Sequence, residues 1–299
     1  MVYVTHDRER SPQQFLAMRG ARIVPVYWFY TMAAAALMFS LPQLFRSNEL
    51  TAKHVLLSML FVPHETGVGD DFSPIVKQGW TLNLEVFFYI LFAIAMAISA
   101  HRRVMLAASA LITLALVGYW MRFTGVSFGA AGFYFNDIIL EFAFGMLIAK
   151  AFLRGKLDTL CAGLGLGLVL LGFAAIFLLD SFYTASSRAF VYGLPAVVVV
   201  IGALAFEGRS RAMSIPFLQF TGDASYSIYL VHIFPVAVMR ALWPHGPLPM
   251  GGPISLLIFL VMCLGLVVAL GAVSYYAVER TSLRYLRKKI ERYLSARSG

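Results

Sequence analysis

The sequence predicts an all-α integral membrane protein, a polytopic bundle of about eight transmembrane helices with both termini in the cytoplasm. Hydrophobic residues fill 60% of the 299 positions and charged residues only 13%, whereas roughly a quarter of the residues in a soluble domain are charged. The mean hydropathy is +0.77. Because so large an apolar excess does not fit inside one aqueous core, the bilayer is the solvent for most of the chain.

Eight apolar segments are close to the length that crosses a bilayer, which is about 20 helical residues. In chain order they are Val24–Leu41, Trp80–Ala100, Val104–Met121, Tyr134–Leu153, Leu160–Leu179, Ala189–Phe206, Tyr226–Leu242 and Pro253–Val278. The apolar segment His54–Pro63 is too short to span and is predicted to be interfacial or re-entrant. In the fifth span, the alternating Gly163, Gly165 and Gly167 predict close helix packing.

The distribution of basic residues predicts the orientation of the chain in the membrane. With the N-terminus in the cytoplasm, 18 of the 24 Lys and Arg residues fall on the cytoplasmic side. The six on the outer side are Arg46, Lys53, Lys77, Arg122, Arg188 and Arg240. Because cytoplasmic loops are enriched in Lys and Arg, this bias favours an even number of spans with both ends inside.

The C-terminal residues 281–299 form a basic tail. Its apolar residues, at helical spacing, are Leu283, Leu286, Ile290 and Leu294. This pattern predicts an amphipathic helix on anionic membrane lipids, and a plain topology anchor is the simpler interpretation.

Composition also argues against several functions. The net charge of +9 does not indicate nucleic-acid binding, because the basic residues lie in short patches between apolar segments. Cys161 and Cys263 lie within apolar segments without metal-ligand spacing, and they are predicted to be small buried core residues. There is no phosphate-binding glycine loop and no zinc-protease motif, so no metal site is predicted.

An ionisable side chain inside a span costs about 2.5–3.5 kcal/mol on an insertion scale, so each one is a candidate functional residue. Glu85 lies in the second span near its outer end, with Thr81 and Asn83 before it and Tyr89 one turn later on the same face. Its carboxylate is suited to accepting a hydrogen bond from a sugar hydroxyl or to acting as a base. The alternative is a carboxylate paired with an arginine or tyrosine for packing.

A second candidate lies in the seventh span. Ser225, Tyr229 and His232 are spaced i, i+4 and i+7 and therefore share one helix face. A lone histidine is often a packing residue, but here it belongs to a polar stripe in an apolar helix. Pro235, one turn later, is expected to kink the helix near this stripe.

Two carboxylates near the fourth span are spaced i, i+4. Asp137 is predicted to cap a water-exposed helix start rather than to carry chemistry. Glu141 lies deeper and is a weaker candidate for acid/base work.

Arg19 and Arg22 lie just cytoplasmic of the first span at i, i+3. Arginines at this spacing can bind phosphates through charge-assisted hydrogen bonds. The competing interpretation is that they only anchor the topology.

Three polar motifs follow one another along the chain. They are Arg19-x-x-Arg22-Ile23-x-Pro25-x-Tyr27, Trp80-Thr81-Leu82-x-x-Glu85-x-x-Phe88-Tyr89 and Ser225-Tyr226-Ser227-Ile228-Tyr229-Leu230-x-His232. Together they resemble the acyltransferase 3 family of membrane acyltransferases, in particular its exopolysaccharide and O-antigen acetyltransferase branch. The pair Glu279-Arg280 at the end of the last span also fits, and the resemblance covers essentially the whole chain.

The resemblance implies a reaction and a place for it. Acetyl-CoA or another acyl-CoA, a donor that is not bound permanently, would place its phosphates near Arg19 and Arg22. The acyl group would reach a hydroxyl of an exopolysaccharide, O-antigen or related glycan, either free or on a lipid carrier. Glu85 would position or activate the acceptor, and His232 with Tyr229 would line the path. The expected location is the inner membrane, with residues 1–280 as the transmembrane domain and 281–299 as a cytoplasmic tail.

The chain departs from the family pattern at its beginning. Family members usually have ten spans, and the first carries an arginine followed about ten residues later by a histidine regarded as the catalytic base. The chain is expected to lack the first two helices, with Met1–Thr5 matching the end of the second. The two explanations are a start codon assigned too late and a truncated, inactive copy.

Two other functions remain open from the residues alone. Intramembrane Glu and His also suit proton coupling in a transporter or flippase for a lipid-linked sugar. A transporter of this kind often has paired repeats with broken helices, and no internal repeat is visible in the sequence. The third possibility is a non-catalytic partner in polysaccharide assembly.

Overall fold

The computed structural model describes residues 11–40, 50–65, 72–183, 188–209, 216–243 and 252–298. All secondary structure within these ranges is helical, which confirms the predicted fold class. The expected helix end at Met1–Thr5 lies outside them.

Twelve α-helices make up the described chain. They are α1 (Pro12–Ser40), α2 (Ala52–Met59), α3 (Gly79–Ile98), α4 (Arg103–Thr124), α5 (Leu140–Leu153), α6 (Ala162–Leu179), α7 (Leu194–Arg209), α8 (Pro216–Asp223), α9 (Ser225–Val231), α10 (Ile233–Leu242), α11 (Pro253–Ser274) and α12 (Arg280–Ser298). The π-helical turns Ala189–Gly193 and Tyr275–Glu279 lead into α7 and α12.

Six helices in the described ranges are long and apolar enough to cross a membrane, by length and composition. They are Pro12–Ser40, Gly79–Ile98, Arg103–Thr124, Ala162–Phe182, Ala189–Glu207 and Pro253–Tyr293. Each overlaps one of the eight predicted spans. The chain is therefore a multi-pass membrane protein, and the other two predicted spans are interrupted.

The first interruption falls in the predicted span Tyr134–Leu153. Its beginning belongs to two 3-10 segments, Gly129–Phe135 and Asp137–Ile139, and only the 14 residues of α5 are α-helical. Asn136 is extended, and its side chain accepts a hydrogen bond from the Ile138 backbone N–H. A short polar side chain that bonds to nearby backbone favours a turn over a continuing helix.

The second interruption falls in the predicted span Tyr226–Leu242, which consists of α9 and α10 separated by a turn at His232. Pro235 explains the break, because proline has no N–H to donate to the carbonyl four residues earlier, on Val231. The helical assignment is interrupted at the histidine itself, whose backbone angles remain helical, and a kink at this point stays a prediction.

The chain divides into two compact units, and the first comprises Met1–Leu16 and Leu84–Met213. Within it, α6 packs closely against α7, since a Cβ at Gly165 would lie 2.8 Å from the Gly202 carbonyl oxygen. A Cβ at Gly163 or Gly167 meets no described atom within 4 Å. The predicted close packing therefore depends on Gly165 and not on its two neighbours.

The second unit comprises Ala17–Asn83 and Ser214–Gly299. The short α2 and the chain after it pack against the middle of α1. Trp28 donates its indole N–H to the Met59 carbonyl at 2.9 Å, and the rings of Tyr27 and Phe61 lie 4.7 Å apart between centroids. The segment that was too short to span is thus folded against α1.

The basic tail is helical and continues α11 through the π turn Tyr275–Glu279 without a break. Leu283, Leu286 and Ile290 are half-buried, whereas most of their neighbours are exposed. The amphipathic pattern is present, and contact of the tail with lipid headgroups stays a prediction.

Candidate functional site

The two predicted phosphate-binding arginines lie on α1 in the second unit, and both are partly exposed. Arg22 is close enough to Glu279 for their opposite charges to attract. The Glu279 side chain is only 2% exposed and accepts a hydrogen bond from the Ser227 hydroxyl at 2.6 Å. The attraction favours orientations of Arg22 that face this carboxylate, on the side of α1 where Ser227 lies.

Ser227 and Glu279 were not predicted as site residues. The Ser227 side chain is fully buried, and Glu279 ends the π turn before α12. π turns inside helices are frequent at functional sites. The sequence signal for Glu279 was a carboxylate at the end of the last apolar segment, but its partner could not be read from spacing.

A second contact joins the late motif to α1 beside Arg22. The Tyr226 hydroxyl donates to the Ile23 carbonyl at 2.9 Å. A helix-interior carbonyl already accepts one intrahelical hydrogen bond, and its second lone pair serves this contact. Tyr226 therefore fixes α9 against the arginine-bearing end of α1.

Tyr229, a predicted catalytic residue, meets the start of α3. Its hydroxyl lies 2.7 Å from the Thr81 hydroxyl and donates to the Gln78 backbone carbonyl at 3.0 Å. Thr81 donates to the same carbonyl at 3.0 Å. The two hydroxyls have one hydrogen each, and these two hydrogens serve three contacts: each hydroxyl with the Gln78 carbonyl, and the two hydroxyls with each other. The start of the second sequence motif and the third motif come together here, inside the second unit.

His232 lies at the turn between α9 and α10 and is partly exposed. Its Nδ1 lies 2.5 Å from the Tyr229 carbonyl oxygen, and the two rings are 5.7 Å apart between centroids. A carbonyl oxygen only accepts, so Nδ1 carries the hydrogen in this contact. In neutral imidazole, Nε2 then has the lone pair, which is the state a general base needs.

Glu85 belongs to the first unit, and its carboxylate accepts a hydrogen bond from the Tyr89 hydroxyl. The Glu85 side chain is partly exposed, and Tyr89 is buried. This contact matches the packing alternative raised by the sequence without excluding a second partner for the carboxylate. A catalytic role for Glu85 stays a prediction.

The interpretation of Asp137 as an exposed helix cap is wrong. Asp137 is fully buried, and its carboxylate accepts a hydrogen bond from the Ala189 backbone N–H at 3.0 Å. Ala189 lies in the first described turn of the helix that leads into α7, where free N–H groups attract an anion. Asp137 therefore stabilises the start of a distant helix rather than its own, which sequence spacing could not reveal.

Glu141, the weaker candidate, forms an ion pair with Arg188 at 3.5 Å. It also borders a cavity of about 330 Å³ between α5 and α7. The other lining residues are apolar, and Phe144, Ile148 and Val200 are among them. With both charges of the pair about one-third exposed, a structural role explains this arrangement.

The described residues include no group of three or more His, Cys, Asp or Glu side chains that could hold a metal ion. The polar groups that the structure gathers around Tyr229 and Arg22 in the second unit are hydroxyls, amides, the imidazole of His232 and the oppositely charged Arg22 and Glu279. These groups are suited to binding, proton transfer and stabilisation of developing charge.

Comparison with known proteins gives the family context. Residues 4–273 match the family model described as "Acyltransferase domain". The chain is 35% identical over 290 residues to "Exopolysaccharide production protein ExoZ" of Rhizobium meliloti (strain 1021), an alignment that covers 95% of this chain and 86% of that protein. No solved structure matches the chain significantly.

Proposed function

We propose that the chain, which belongs to the family of membrane proteins defined by this acyltransferase domain, transfers an acetyl or other acyl group from cytoplasmic acyl-CoA to a hydroxyl of an exopolysaccharide, O-antigen or related glycan. The observation that carries the proposal is the contact of Tyr229 with Thr81 and the Gln78 carbonyl. This contact lies within the second unit and joins Thr81 of the second motif to Tyr229 of the third motif, both of which resemble motifs of this family.

Donor binding is assigned to the arginine-bearing end of α1. The phosphates of CoA are anionic, and arginine binds phosphate through charge-assisted, often bidentate hydrogen bonds. Arg22 is attracted by the charge of the buried Glu279, and Arg19 lies three residues before it on the same helix. Charge-assisted hydrogen bonds contribute about 1.5–3 kcal/mol each, which is enough to decide donor affinity.

Proton transfer is assigned to His232. The acceptor hydroxyl must lose its proton as its oxygen attacks the thioester carbonyl carbon, and Nε2 of His232 is suited to accept it because Nδ1 already donates to Tyr229. The C–O bond forms, the C–S bond breaks, and the thiolate leaves with the proton to become the free thiol of CoA. Glu85 would act on the acceptor side by orienting glycan hydroxyls.

The acceptor class is drawn from the printed name of the relative, which refers to exopolysaccharide production. A glycan carries many hydroxyls, and one of these would be the nucleophile. The multi-pass architecture supports a reaction at a membrane, for which we propose the bacterial-type inner membrane. Membrane lipids would surround the bundle, and the basic tail would contact their anionic headgroups.

The test uses the full chain in lipid nanodiscs with acetyl-CoA and an exopolysaccharide acceptor. We expect release of free CoA thiol that depends on the acceptor and is accompanied by acetylated glycan. The His232→Asn variant keeps a side-chain N–H that can donate to Tyr229 but lacks Nε2. It should lose about 100-fold in rate while its affinity for CoA is unchanged.

The matched control is His101→Asn, because His101 is exposed and lies in the first unit. Its thiol release should equal that of the unmodified chain. Glycan-dependent movement of lipid-linked sugar without any thiol release would contradict the transferase proposal and favour a flippase.

A further inference from the structure

Two buried amides of the second unit, those of Asn83 and Gln78, have no hydrogen-bond partner among the described residues. Gln78 is the one that lies at the Tyr229 contact. It is only 8% exposed, and neither its amide nitrogen nor its amide oxygen has a hydrogen-bond partner among the described residues. Burying an amide without partners is costly, and such groups are rare in folded proteins. A group of this kind at a candidate site indicates that a ligand completes its hydrogen bonds.

The surroundings of residue 78 are also polar. Its own backbone carbonyl accepts from the hydroxyls of Thr81 and Tyr229. The next residue is Gly79, where a Cβ would lie 2.7 Å from the Tyr27 hydroxyl oxygen. The Tyr27 hydroxyl is itself buried and has no hydrogen-bond partner in the part of the chain that the structure describes. We call Tyr27, Gln78, Thr81 and Tyr229 the hydroxyl–amide cluster.

The cluster contains no formal charge. The Thr81 and Tyr229 hydroxyls already donate to the Gln78 carbonyl, so the donors left for a ligand are the Tyr27 hydroxyl and the Gln78 amide N–H. Uncharged donors of this kind suit a neutral carbonyl rather than a phosphate. Tyr27 lies five residues after Arg22 on α1, which is roughly 7.5 Å along the helix axis. A donor whose phosphates contact Arg22 therefore has a neutral, carbonyl-bearing portion available for the cluster.

We propose that the cluster binds the thioester end of the acyl donor and that the Gln78 side-chain amide N–H donates to the thioester carbonyl oxygen. This assignment rests on the proposed function and adds a catalytic residue to it. When the acceptor oxygen adds to the carbonyl carbon, the C=O electron pair moves onto that oxygen, and the new negative charge is stabilised by the amide N–H. When the C–S bond breaks, the C=O bond reforms and the thiolate leaves with the proton taken from the acceptor.

The test measures binding of two unreactive CoA analogues to the full chain in nanodiscs. In the ketone analogue, CH₂ replaces the thioester sulfur and the carbonyl remains, whereas S-ethyl-CoA has no carbonyl. The unmodified chain should bind the ketone about fivefold more tightly, the effect of one neutral hydrogen bond. Gln78→Met, which keeps the shape without the N–H, should remove that preference and leave the affinity for S-ethyl-CoA unchanged.

Turnover supplies the second readout. Gln78→Met should lower kcat with acetyl-CoA by about 10²-fold, the loss typical for one oxyanion-stabilising donor. Gln219→Met is the matched control, because Gln219 is exposed on α8 in the same unit, and it should behave like the unmodified chain. Gln78→Leu, which has no hydrogen-bond donor, repeats the test if the Met variant fails to fold.

The outcomes separate this inference from the proposed function. A ketone preference that survives in both folded Gln78 variants overturns the role of Gln78 and leaves the transferase intact. Failure of the unmodified chain to bind either analogue overturns the acyl-CoA donor, and with it this inference. A lower affinity of Gln78→Met for both analogues alike shows a general packing effect and also overturns the carbonyl contact.

Discussion

The hydroxyls of Thr81 and Tyr229 lie 2.7 Å apart although the two residues are 148 positions apart in the sequence. Thr81 lies in the first turn of the long helix α3, and Tyr229 lies on the short helix α9. Both hydroxyls also donate to one backbone carbonyl, that of Gln78. The contact ties together two segments that sequence analysis could only treat as separate motifs.

This shared arrangement predicts coupled effects of mutation. Thr81→Val and Tyr229→Phe should each lower the free energy of unfolding by about 1 kcal/mol, because the other hydroxyl still serves the Gln78 carbonyl. The double variant leaves that carbonyl without a hydroxyl partner and should cost at least about 0.5 kcal/mol more than the sum. Denaturant titration in micelles measures the free energy of unfolding of the two single variants and of the double variant. Thr81→Val combined with Tyr285→Phe, where Tyr285 is exposed on the tail, should be additive.

Arg22 should control donor affinity. Arg22→Gln is expected to raise KM for acyl-CoA by about 10-fold to 100-fold, because it removes charge-assisted hydrogen bonds to phosphate. Steady-state thiol release gives KM, and a thermal melt shows whether the loss of the Glu279 partner also lowers stability. Arg287→Gln, in the exposed part of the tail, should leave KM unchanged. An equal KM in Arg22→Gln would exclude the arginine from donor binding.

Ser227 should contribute to stability through Glu279. Ser227→Ala removes the hydroxyl that donates to a buried carboxylate, and we expect a loss of about 1–3 kcal/mol in the free energy of unfolding. Ser282→Ala is the control, since the Ser282 hydroxyl bonds only to backbone carbonyls of its own helix. Equal stabilities for the two variants would show that the Ser227 contact contributes nothing.

The glycines of α6 offer a matched pair for packing. Gly165→Ala places a methyl group 2.8 Å from the Gly202 carbonyl oxygen, so α6 and α7 must separate, at a cost of about 1–3 kcal/mol. Gly163→Ala meets open space and should be neutral or stabilising by up to about 1 kcal/mol. The measurement is the difference in melting temperature between the Gly165→Ala and Gly163→Ala proteins. A Gly165→Ala protein as stable as Gly163→Ala would contradict the close approach of the helices.

Some elements could be predicted from local pattern because the physical cause is local. The long apolar helices follow from composition and length, and the interruption of the helix at His232 follows from the missing N–H of Pro235. The end of the helical signal at Asn136 was missed, because the neighbouring residues are apolar and the competing bond is made by a single side chain. The role of Asp137 was misjudged, since its partner Ala189 is 52 positions away.

The sequence by itself determined that this chain is an all-α protein of the membrane, because apolar length and charge content depend on no partner. It also identified the motifs that resemble the acyltransferase family. The tertiary structure alone decided which polar groups pair, such as Ser227 with Glu279, and which have no partner among the described residues, such as the Gln78 amide. Hydrogen bonds require atoms within about 3 Å of each other, and residues distant in sequence reach that distance only after the helices have packed.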